Sequence, residues 1–282
     1  KLLDALDVQL RRRAAGPRPG DQRAAGVGSG TELAQLRPYE IGDDVRQLDP
    51  AATARTGTPH VRLHVPERAM TTWLVLDVSP SMAFGTAERL KSDVAEGVAL
   101  ALGRLALRRA GRLGAVTFGA PGPGLLPPRG GRPAFVALSR AVGAGVAPDG
   151  PGDRSGLAGA LDRLTPMARR RGLLAVVSDF RDQEGWIRPL RRLGQLHDVL
   201  AIEIGDPREA RLPAVGHLTL VDPETGRHLA VDTSRPGVCR RYAQAEAARR
   251  EALARDLRAA RARHVALSTD GPWLRTLAGA LR

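Results

Sequence analysis

The sequence is poor in several residue types, and each shortage excludes a class of protein. One cysteine, Cys239, among 282 residues rules out a disulfide or a thiolate metal cluster within one chain. Aromatic residues make up 3%, which leaves few platforms for stacking nucleic-acid bases. No apolar run approaches the roughly 20 residues of a membrane-spanning helix. Residues 1–13 alternate charged and apolar positions, unlike a signal peptide, so we expect a cytoplasmic protein.

Lysine is scarce although the chain is strongly basic. The net charge is +13, yet Lys1 and Lys91 are the only lysines among 43 basic residues, and the rest are arginine. The arginines are spread over helical stretches such as 240–263, where they alternate with alanine and leucine as on solvated helix faces. A nucleic-acid-binding protein is therefore an alternative that the distribution of charge disfavours.

A short apolar run ends abruptly in an aspartate near the middle of the first half of the chain. Residues 72–76 are followed by Asp77, and Ser79 and Ser81 come at alternating positions after it. A parallel strand is buried on both faces and is apolar throughout, so the run predicts such a strand. The carboxylate and the two hydroxyls then lie at its carboxyl end.

The same pattern recurs later, where the apolar run 172–177 leads into Asp179. Strands and helices alternate after residue 71, which predicts a doubly wound α/β fold with a mostly parallel sheet and helices on both faces. We expect residues 1–70 to form an N-terminal extension and 71–282 the α/β domain, with a β-hairpin insertion at about 217–231. The two acids should meet at one edge of the sheet.

Oxygen ligands collected at this edge suit a divalent cation. Mg²⁺ prefers octahedral oxygen coordination and often keeps several waters. Asp77, Ser79 and Ser81 lie on a tight loop that can turn three oxygens inward, and Asp179 is placed as an outer ligand. Ser155, in a loop before a helix, adds a hydroxyl. The alternative is that Asp77 only caps the turn that follows it, through the Ser79 and Ser81 amides.

The stretch from residue 31 to residue 54 crowds polar groups together with few apolar anchors. Such density is typical of a solvated loop or of a network of arginine–carboxylate pairs that fixes the backbone. The spaced residues of this signature segment are Arg37, Tyr39, Gly42, Asp43, Asp44, Arg46 and Asp49.

The Asp77-x-Ser79-x-Ser81 pattern resembles the metal-ion-dependent adhesion site of von Willebrand factor A domains. Ser155 and the helix that follows it match the family's loop threonine and x-Leu-x-x-Ala-Leu helix, with serine substituted. Asp179 matches the aspartate that ends a later strand of the family. The residue after it is phenylalanine, where the family usually has glycine.

Upstream, residues 28–32 and the signature segment resemble the bacterial family called "domain of unknown function 58". Pro50 stands where that family usually has tryptophan, and the following Ala54-Arg55 is retained. The resemblance implies a von Willebrand factor A-like domain, a site for Mg²⁺ (or Mn²⁺ or Ca²⁺), and a MoxR-type AAA+ ATPase as partner in complex assembly or maturation. Many relatives carry N-terminal membrane helices; without them we expect a soluble form or a fragment.

These observations predict a non-enzymatic protein-interaction module, in which an Asp or Glu of a protein partner binds the metal. No nucleophile or base accompanies the four oxygen ligands. The main enzyme alternative is a metal-dependent phosphatase of the haloacid dehalogenase type. Such an enzyme needs a second acid or a threonine two positions after Asp77, where Ser79 stands, and a downstream lysine, for which Lys91 is the only candidate.

Overall fold

The computed structural model describes residues 32–65, 70–121, 124–150, 156–181 and 185–280. These residues divide into two compact units, a smaller one that ends at residue 69 and a larger one that begins at residue 70.

The smaller unit contains a two-stranded antiparallel sheet, in which β1 (Glu32–Pro38) pairs with β2 (His60–Val65). Helix α1 (Pro50–Thr56) lies between the two strands in sequence. Asp49 caps this helix, because its Oδ1 accepts a hydrogen bond from the Ala52 amide at 2.9 Å. The sequence analysis did not predict β1, because its polar residues do not alternate regularly with apolar ones.

The larger unit is built on a six-stranded sheet. Its strands are β3 (Thr71–Asp77), β4 (Arg112–Phe118), β5 (Leu125–Gly130), β6 (Gly172–Ser178), β7 (Asp198–Gly205) and β10 (Arg263–Ser268). Their order across the sheet is β10-β7-β6-β3-β4-β5. All neighbours are parallel except β4 and β5, which form an antiparallel edge. The predicted α/β fold with a mostly parallel sheet is confirmed.

Helices cover both faces of this sheet. They are α2 (Lys91–Ala106), α3 (Gly131–Gly143), α4 (Gly156–Leu164), α5 (Ile187–Leu193), α6 (Pro207–Ala210), α7 (Pro236–Ala259) and α8 (Trp273–Ala280). Strand β3 alternates between two cores: Leu74 and Leu76 pack with α2, whereas Trp73 and Val75 pack with α4. Within the described part of the chain, no helix has both the length and the apolar character needed to cross a membrane.

The hairpin predicted at about 217–231 is present as a separate two-stranded sheet. Its strands are β8 (His217–Val221) and β9 (His228–Asp232).

The strand order reverses beside β3. The chain passes from β3 to β4 on one side and returns to place β6 on the other side. Open α/β sheets bind ligands at such a reversal, beyond the carboxyl ends of the strands. Asp77 ends β3 and Ser178 ends β6, and both are buried. The topology therefore brings the two acid-ended strands of the sequence together.

Candidate metal centre

Asp77 and the two serines that follow it form one hydrogen-bonded cluster. The Asp77 Oδ1 accepts a hydrogen bond from the Ser79 amide at 3.0 Å and another from the Ser79 Oγ at 2.5 Å. The Ser79 and Ser81 Oγ atoms lie 3.0 Å apart. The Ser81 amide does not donate to Asp77, so the capping alternative describes Ser79 but not Ser81. Three predicted ligands thus meet at the end of β3.

A third hydroxyl, which the sequence analysis did not include, holds the other oxygen of Asp77. The Ser178 Oγ donates to the Asp77 Oδ2 at 2.6 Å and accepts from the Phe180 amide at 2.9 Å. Ser178 is fully buried. Both oxygens of Asp77 are therefore fixed, one by its own loop and one by the neighbouring strand.

Asp77 has no cationic partner within the described part of the chain. The ion pairs at this edge join Lys91 to Asp179 and to Glu209. Burial, together with the nearby Asp179 carboxylate, raises the pKa of Asp77 to about 7, although its hydroxyl and amide donors favour the ionised form. A positive charge beside this carboxylate would favour its ionised form, and no described residue supplies one.

Asp179, by contrast, is paired with a buried lysine. The Lys91 Nζ lies 2.7 Å from the Asp179 Oδ2 and 2.7 Å from the Glu209 Oε1, and Lys91 is fully buried. Burial alone would raise the pKa of Asp179, but the Lys91 ammonium outweighs it and holds that pKa below its ordinary value. Burial likewise disfavours the charged lysine, and the two carboxylates outweigh it and raise the pKa of Lys91.

The ion pairs continue away from the site through α6 and α7. The Arg181 Nε lies 3.3 Å from the Glu209 Oε1, and the Arg181 Nη2 donates to the Glu246 Oε1 at 3.0 Å. The Arg249 Nη2 then joins the Glu246 Oε1 at 2.9 Å to the Glu203 Oε1 at 3.1 Å. This network of ion pairs holds the Lys91 ammonium beside Asp179 and Glu209.

The β8–β9 hairpin contributes a carboxylate that the sequence analysis did not foresee. The Ser81 amide donates to the Glu224 Oε1 at 3.2 Å across 143 residues of sequence. Burial and the Asp179 carboxylate raise the pKa of Glu224, against the effect of the Ser81 amide. Asp179 is therefore close enough to both Asp77 and Glu224 to affect their pKa values, and Lys91 lies beside Asp179.

Two backbone features shape the edge. Phe180 adopts a left-handed conformation with φ of 50°, which explains why glycine is usual at this position in related sequences. Its buried ring packs edge-on against Trp186, with centroids 5.8 Å apart. On the other side, a Cβ added to Gly119 would lie 2.5 Å from the Ser79 Cβ, so β4 can pass beneath the serine loop only with glycine there.

The remaining predicted residues are Ser155 and the signature segment. Ser155 falls outside the described residues. The signature segment belongs to the smaller unit, where the Arg37 Nη2 lies 2.7 Å from the Asp43 Oδ1 and the Arg37 Nη1 lies 3.8 Å from the Glu40 Oε2. Asp44 caps a 3-10 turn by accepting from the Arg46 amide at 3.0 Å. The segment's remaining members make backbone turns: the Tyr39 amide donates to the Pro59 carbonyl at 2.8 Å, Gly42 has φ of 111°, and Asp49 caps α1.

The donor set fits a hard divalent cation. Carboxylate and hydroxyl oxygens are the ligands that Mg²⁺, Mn²⁺ and Ca²⁺ prefer. The buried charge of Asp77 lacks a counter-charge, which such an ion would supply. Among the described residues, no three or more His, Cys, Asp and Glu side chains form a group that could hold a metal, so the site depends on its serines.

Lys91, Ser178, Glu209 and Glu224 are the residues that sequence reasoning missed. Ser178 precedes Asp179 directly, and its place at the strand end was a usable signal. Lys91 is one of two lysines, and its rarity was visible, but its burial depends on how α2 begins. Nothing local marks Glu209 or Glu224 as neighbours of Asp179 and Ser81.

Solved structures with a related arrangement share little sequence with this chain. BatB from Bacteroides thetaiotaomicron is 15% identical, with a TM-score of 0.47 that covers 75% of this chain and 97% of that one. A von Willebrand factor type A protein from Catenulispora acidiphila is 13% identical, with a TM-score of 0.40 over 75% of this chain and 41% of that one.

Sequence comparison identifies relatives with much higher identity to this chain. An uncharacterized protein of Mycobacterium tuberculosis is 39% identical over 275 residues, which are 96% of this chain and 85% of that protein. An uncharacterized protein of Mycobacterium avium is 38% identical over 152 residues, 53% of this chain and 87% of that protein. The family model described as "Protein of unknown function DUF58" matches residues 35–252. The family resemblance inferred from the residues is therefore confirmed, and the chain belongs to the DUF58 family.

Proposed function

We propose that this chain is a non-enzymatic protein-binding module that recognises an acidic residue of its partner through a divalent cation. The observation that carries the proposal is Asp77, a buried carboxylate held by hydroxyls, with no counter-charge among the described residues. Desolvating an unpaired carboxylate is costly, so its retention in this form favours a cationic ligand.

Asp77, Ser79 and Ser81 would hold Mg²⁺ or a similar cation, with Asp179 as an outer ligand and Ser155 as a further hydroxyl. Bound there, the ion supplies positive charge and an open position for a carboxylate. Ser178 orients Asp77 by its 2.6 Å hydrogen bond, and Gly119 lets the serine loop lie close to β4. The chain's own residues thus fix the direction from which an acidic group can approach.

The surroundings disfavour hydrolysis. In a phosphatase of the haloacid dehalogenase type, Asp77 would attack phosphorus, yet both of its oxygens already accept hydrogen bonds. Lys91 is the lysine that such an enzyme would need, and its ammonium is buried between Asp179 and Glu209, away from any incoming phosphate. These contacts favour a site that binds a ligand over one that hydrolyses it.

As partner we propose a MoxR-type AAA+ ATPase, acting with this chain in complex assembly or maturation. The support is the family membership, together with the proposed cation site at Asp77 that would bind an acidic residue of a partner. The basic residues of α7 contribute less to this choice, because Arg249 is already paired with Glu246 and Glu203. The same pairing weakens the nucleic-acid alternative.

Calorimetric titration of Mg²⁺ and of Mn²⁺ into the wild type and into Asp77→Ala tests the metal assignment. We expect saturable binding to the wild type. In the variant the affinity should fall by more than the about 10–100-fold that loss of a residue supporting a ligand costs. Asp162→Ala is the matched control, since Asp162 is an exposed acid of α4 that pairs with Arg192. Equal affinity of wild type and Asp77→Ala for Mg²⁺ and Mn²⁺ would show that the metal assignment is wrong.

Co-purification tests the partner. A MoxR-type ATPase encoded beside this gene, mixed with the wild type in Mg²⁺, should be retained, and Asp77→Ala or EDTA should abolish retention. Retention that is unchanged by both treatments would remove the metal from the interface. Retention of DNA that falls steeply with salt would instead favour the nucleic-acid alternative.

A further inference from the structure

The tip of the β8–β9 hairpin points an acid at the candidate metal centre. Asp222 fixes the turn, because its Oδ1 accepts from the Glu224 amide at 3.0 Å and its Oδ2 from the Thr225 Oγ1 at 2.5 Å. The Gly150 amide donates to the Pro223 carbonyl at 3.0 Å and anchors the tip. The turn therefore presents the Glu224 side chain in a defined direction, toward Ser81.

Glu224 differs from the other two acids of the site in the structural element that carries it. Asp77 and Asp179 end strands of the sheet and are buried, whereas Glu224 is half-buried and comes from a separate element. Its Oε1 accepts the Ser81 amide, the group that the Asp77 loop leaves unused. Glu224 therefore places a carboxylate against the loop that carries the proposed ligands Ser79 and Ser81.

Electrostatics alone do not explain this contact. Lys91 pairs with Asp179 and Glu209, and Glu224 brings a further carboxylate near enough to Asp179 to interact with its charge. Neighbouring carboxylates repel one another unless a cation compensates their charge. The place beside the Ser81 amide nevertheless receives one carboxylate, that of Glu224.

We propose that Glu224 is the internal occupant of the acid-binding position of the Asp77–Ser79–Ser81 site, so that a partner's carboxylate binds only when the β8–β9 hairpin withdraws. The inference rests on the proposed function, because it concerns regulation of the same site. It makes the partner a competitor of this chain's own glutamate.

The hairpin has the properties of an element that can move away from the Asp77–Ser79–Ser81 site. Its two strands pair with each other and with no other strand of the described residues. An isolated two-stranded hairpin is marginally stable in water. Val221 and Leu229 are 51% and 61% exposed, so the strands bury little apolar surface. The tip is held by the Gly150 amide and the Ser81 amide, and exchanging these for a partner's contacts costs little.

The experiment measures water-proton relaxation by protein-bound Mn²⁺ in the full chain, with acetate as the carboxylate probe. The proteins are wild type, Glu224→Ala, Asp77→Ala and the control Glu251→Ala, which removes an exposed glutamate of α7. Glu224→Ala should raise the relaxation rate per bound Mn²⁺, because water replaces the carboxylate. Acetate should then lower that rate at about tenfold lower concentration than in wild type, since the position is no longer occupied. Glu251→Ala should match wild type.

The possible failures separate the two proposals. If Mn²⁺ binding depends on Asp77 but wild type and Glu224→Ala relax water equally and respond equally to acetate, the hairpin proposal is wrong and the metal site stands. If Glu224→Ala abolishes Mn²⁺ binding, Glu224 is a permanent ligand and not a displaceable occupant. If no protein shows binding that depends on Asp77, the proposed function and this inference fall together.

Discussion

Asp77 and Asp179 end neighbouring parallel strands after similar apolar runs, yet the molecule treats their charges in opposite ways. Asp179 has a buried ammonium 2.7 Å away, and its pKa lies below the ordinary value. Among the residues that the structure describes, Asp77 has hydroxyl and amide donors and no cationic partner, and its pKa rises to about 7. Asp179 thus has its cation within the described fold, whereas Asp77 would take one from solution under the proposed function.

The difference depends on a lysine in a chain whose basic residues, apart from Lys1 and Lys91, are arginines. An ammonium is a compact charge that fits between two carboxylates, whereas a guanidinium needs a wider, planar space. Lys91 has that compact position between Asp179 and Glu209. A second such cation beside Asp77 would supply the counter-charge that we propose a divalent ion provides.

The largest expected effect comes from removing the internal cation. Lys91→Met removes the counter-charge that the buried Asp179 shares with the partly buried Glu209, which keeps only Arg181 as a partner. Breaking a buried ion pair by removing one partner costs about 3–5 kcal/mol, and we expect a loss of that order in the free energy of unfolding. Urea unfolding at pH 7, followed by circular dichroism, measures it.

Arg192→Met is the matched control, since it also replaces a helical cation by methionine. Arg192 and its partner Asp162 are exposed, so this change should cost less than about 1 kcal/mol. Equal losses in the two variants would mean that Lys91 contributes no more than a surface charge, and the contrast between the two strand ends would disappear.

The second prediction concerns Asp77 in EDTA. Its pKa rises from an ordinary value of 3.8 to about 7 in the folded protein, so between these values the folded state binds a proton that the unfolded state has released. Stability from this group is complete below pH about 4 and is lost as pH rises toward 7, by up to about 1.4 kcal/mol per pH unit. Asp77→Asn should remove most of that slope in urea unfolding between pH 5 and pH 8. Glu224, whose pKa is also raised, leaves a smaller slope of the same sign.

Asp179→Asn makes the same chemical change on the neighbouring strand and should behave in the opposite way. Because the folded pKa of Asp179 is lowered, its stabilisation is present above the ordinary value and is lost as pH falls through the folded one. The variant should therefore be less stable than wild type at neutral pH. Its slope between pH 5 and pH 8 should be smaller than that of wild type but larger than that of Asp77→Asn, because burial, the larger cause of the raised pKa of Asp77, remains when the Asp179 charge is removed. If both variants flatten the slope alike, the two acids are not distinguished by Lys91.

The sequence predicted the sheet and the convergence of Asp77 with Asp179, because apolar strands and the rule for their carboxyl ends are local and general signals. The sequence did not predict which residues contact the two acids. Lys91 is 88 residues from Asp179, and Glu224 is 143 residues from Ser81. Such contacts depend on where a helix begins and where a hairpin tip lies, which no periodicity records. Strand β1 was missed for a different reason, since its order comes from pairing with β2 and not from an apolar pattern.

The smallest predicted effect tests whether Ser178 belongs to the Asp77 half of the comparison. Ser178→Ala leaves the Asp77 Oδ2 and the Phe180 amide without the hydroxyl that joins them, both in a buried place. Leaving buried polar groups unsatisfied costs about 1–3 kcal/mol, which urea unfolding will show. The Mn²⁺ affinity should also fall about tenfold, as it does when a residue that orients a ligand is removed. Ser234→Ala, which removes an exposed hydroxyl bonded to Asp232, should change stability by less than about 0.5 kcal/mol and leave Mn²⁺ binding unchanged. A loss of stability in Ser178→Ala with unchanged Mn²⁺ affinity would make Ser178 a link between strands alone, and the orientation of Asp77 would then rest on its own loop.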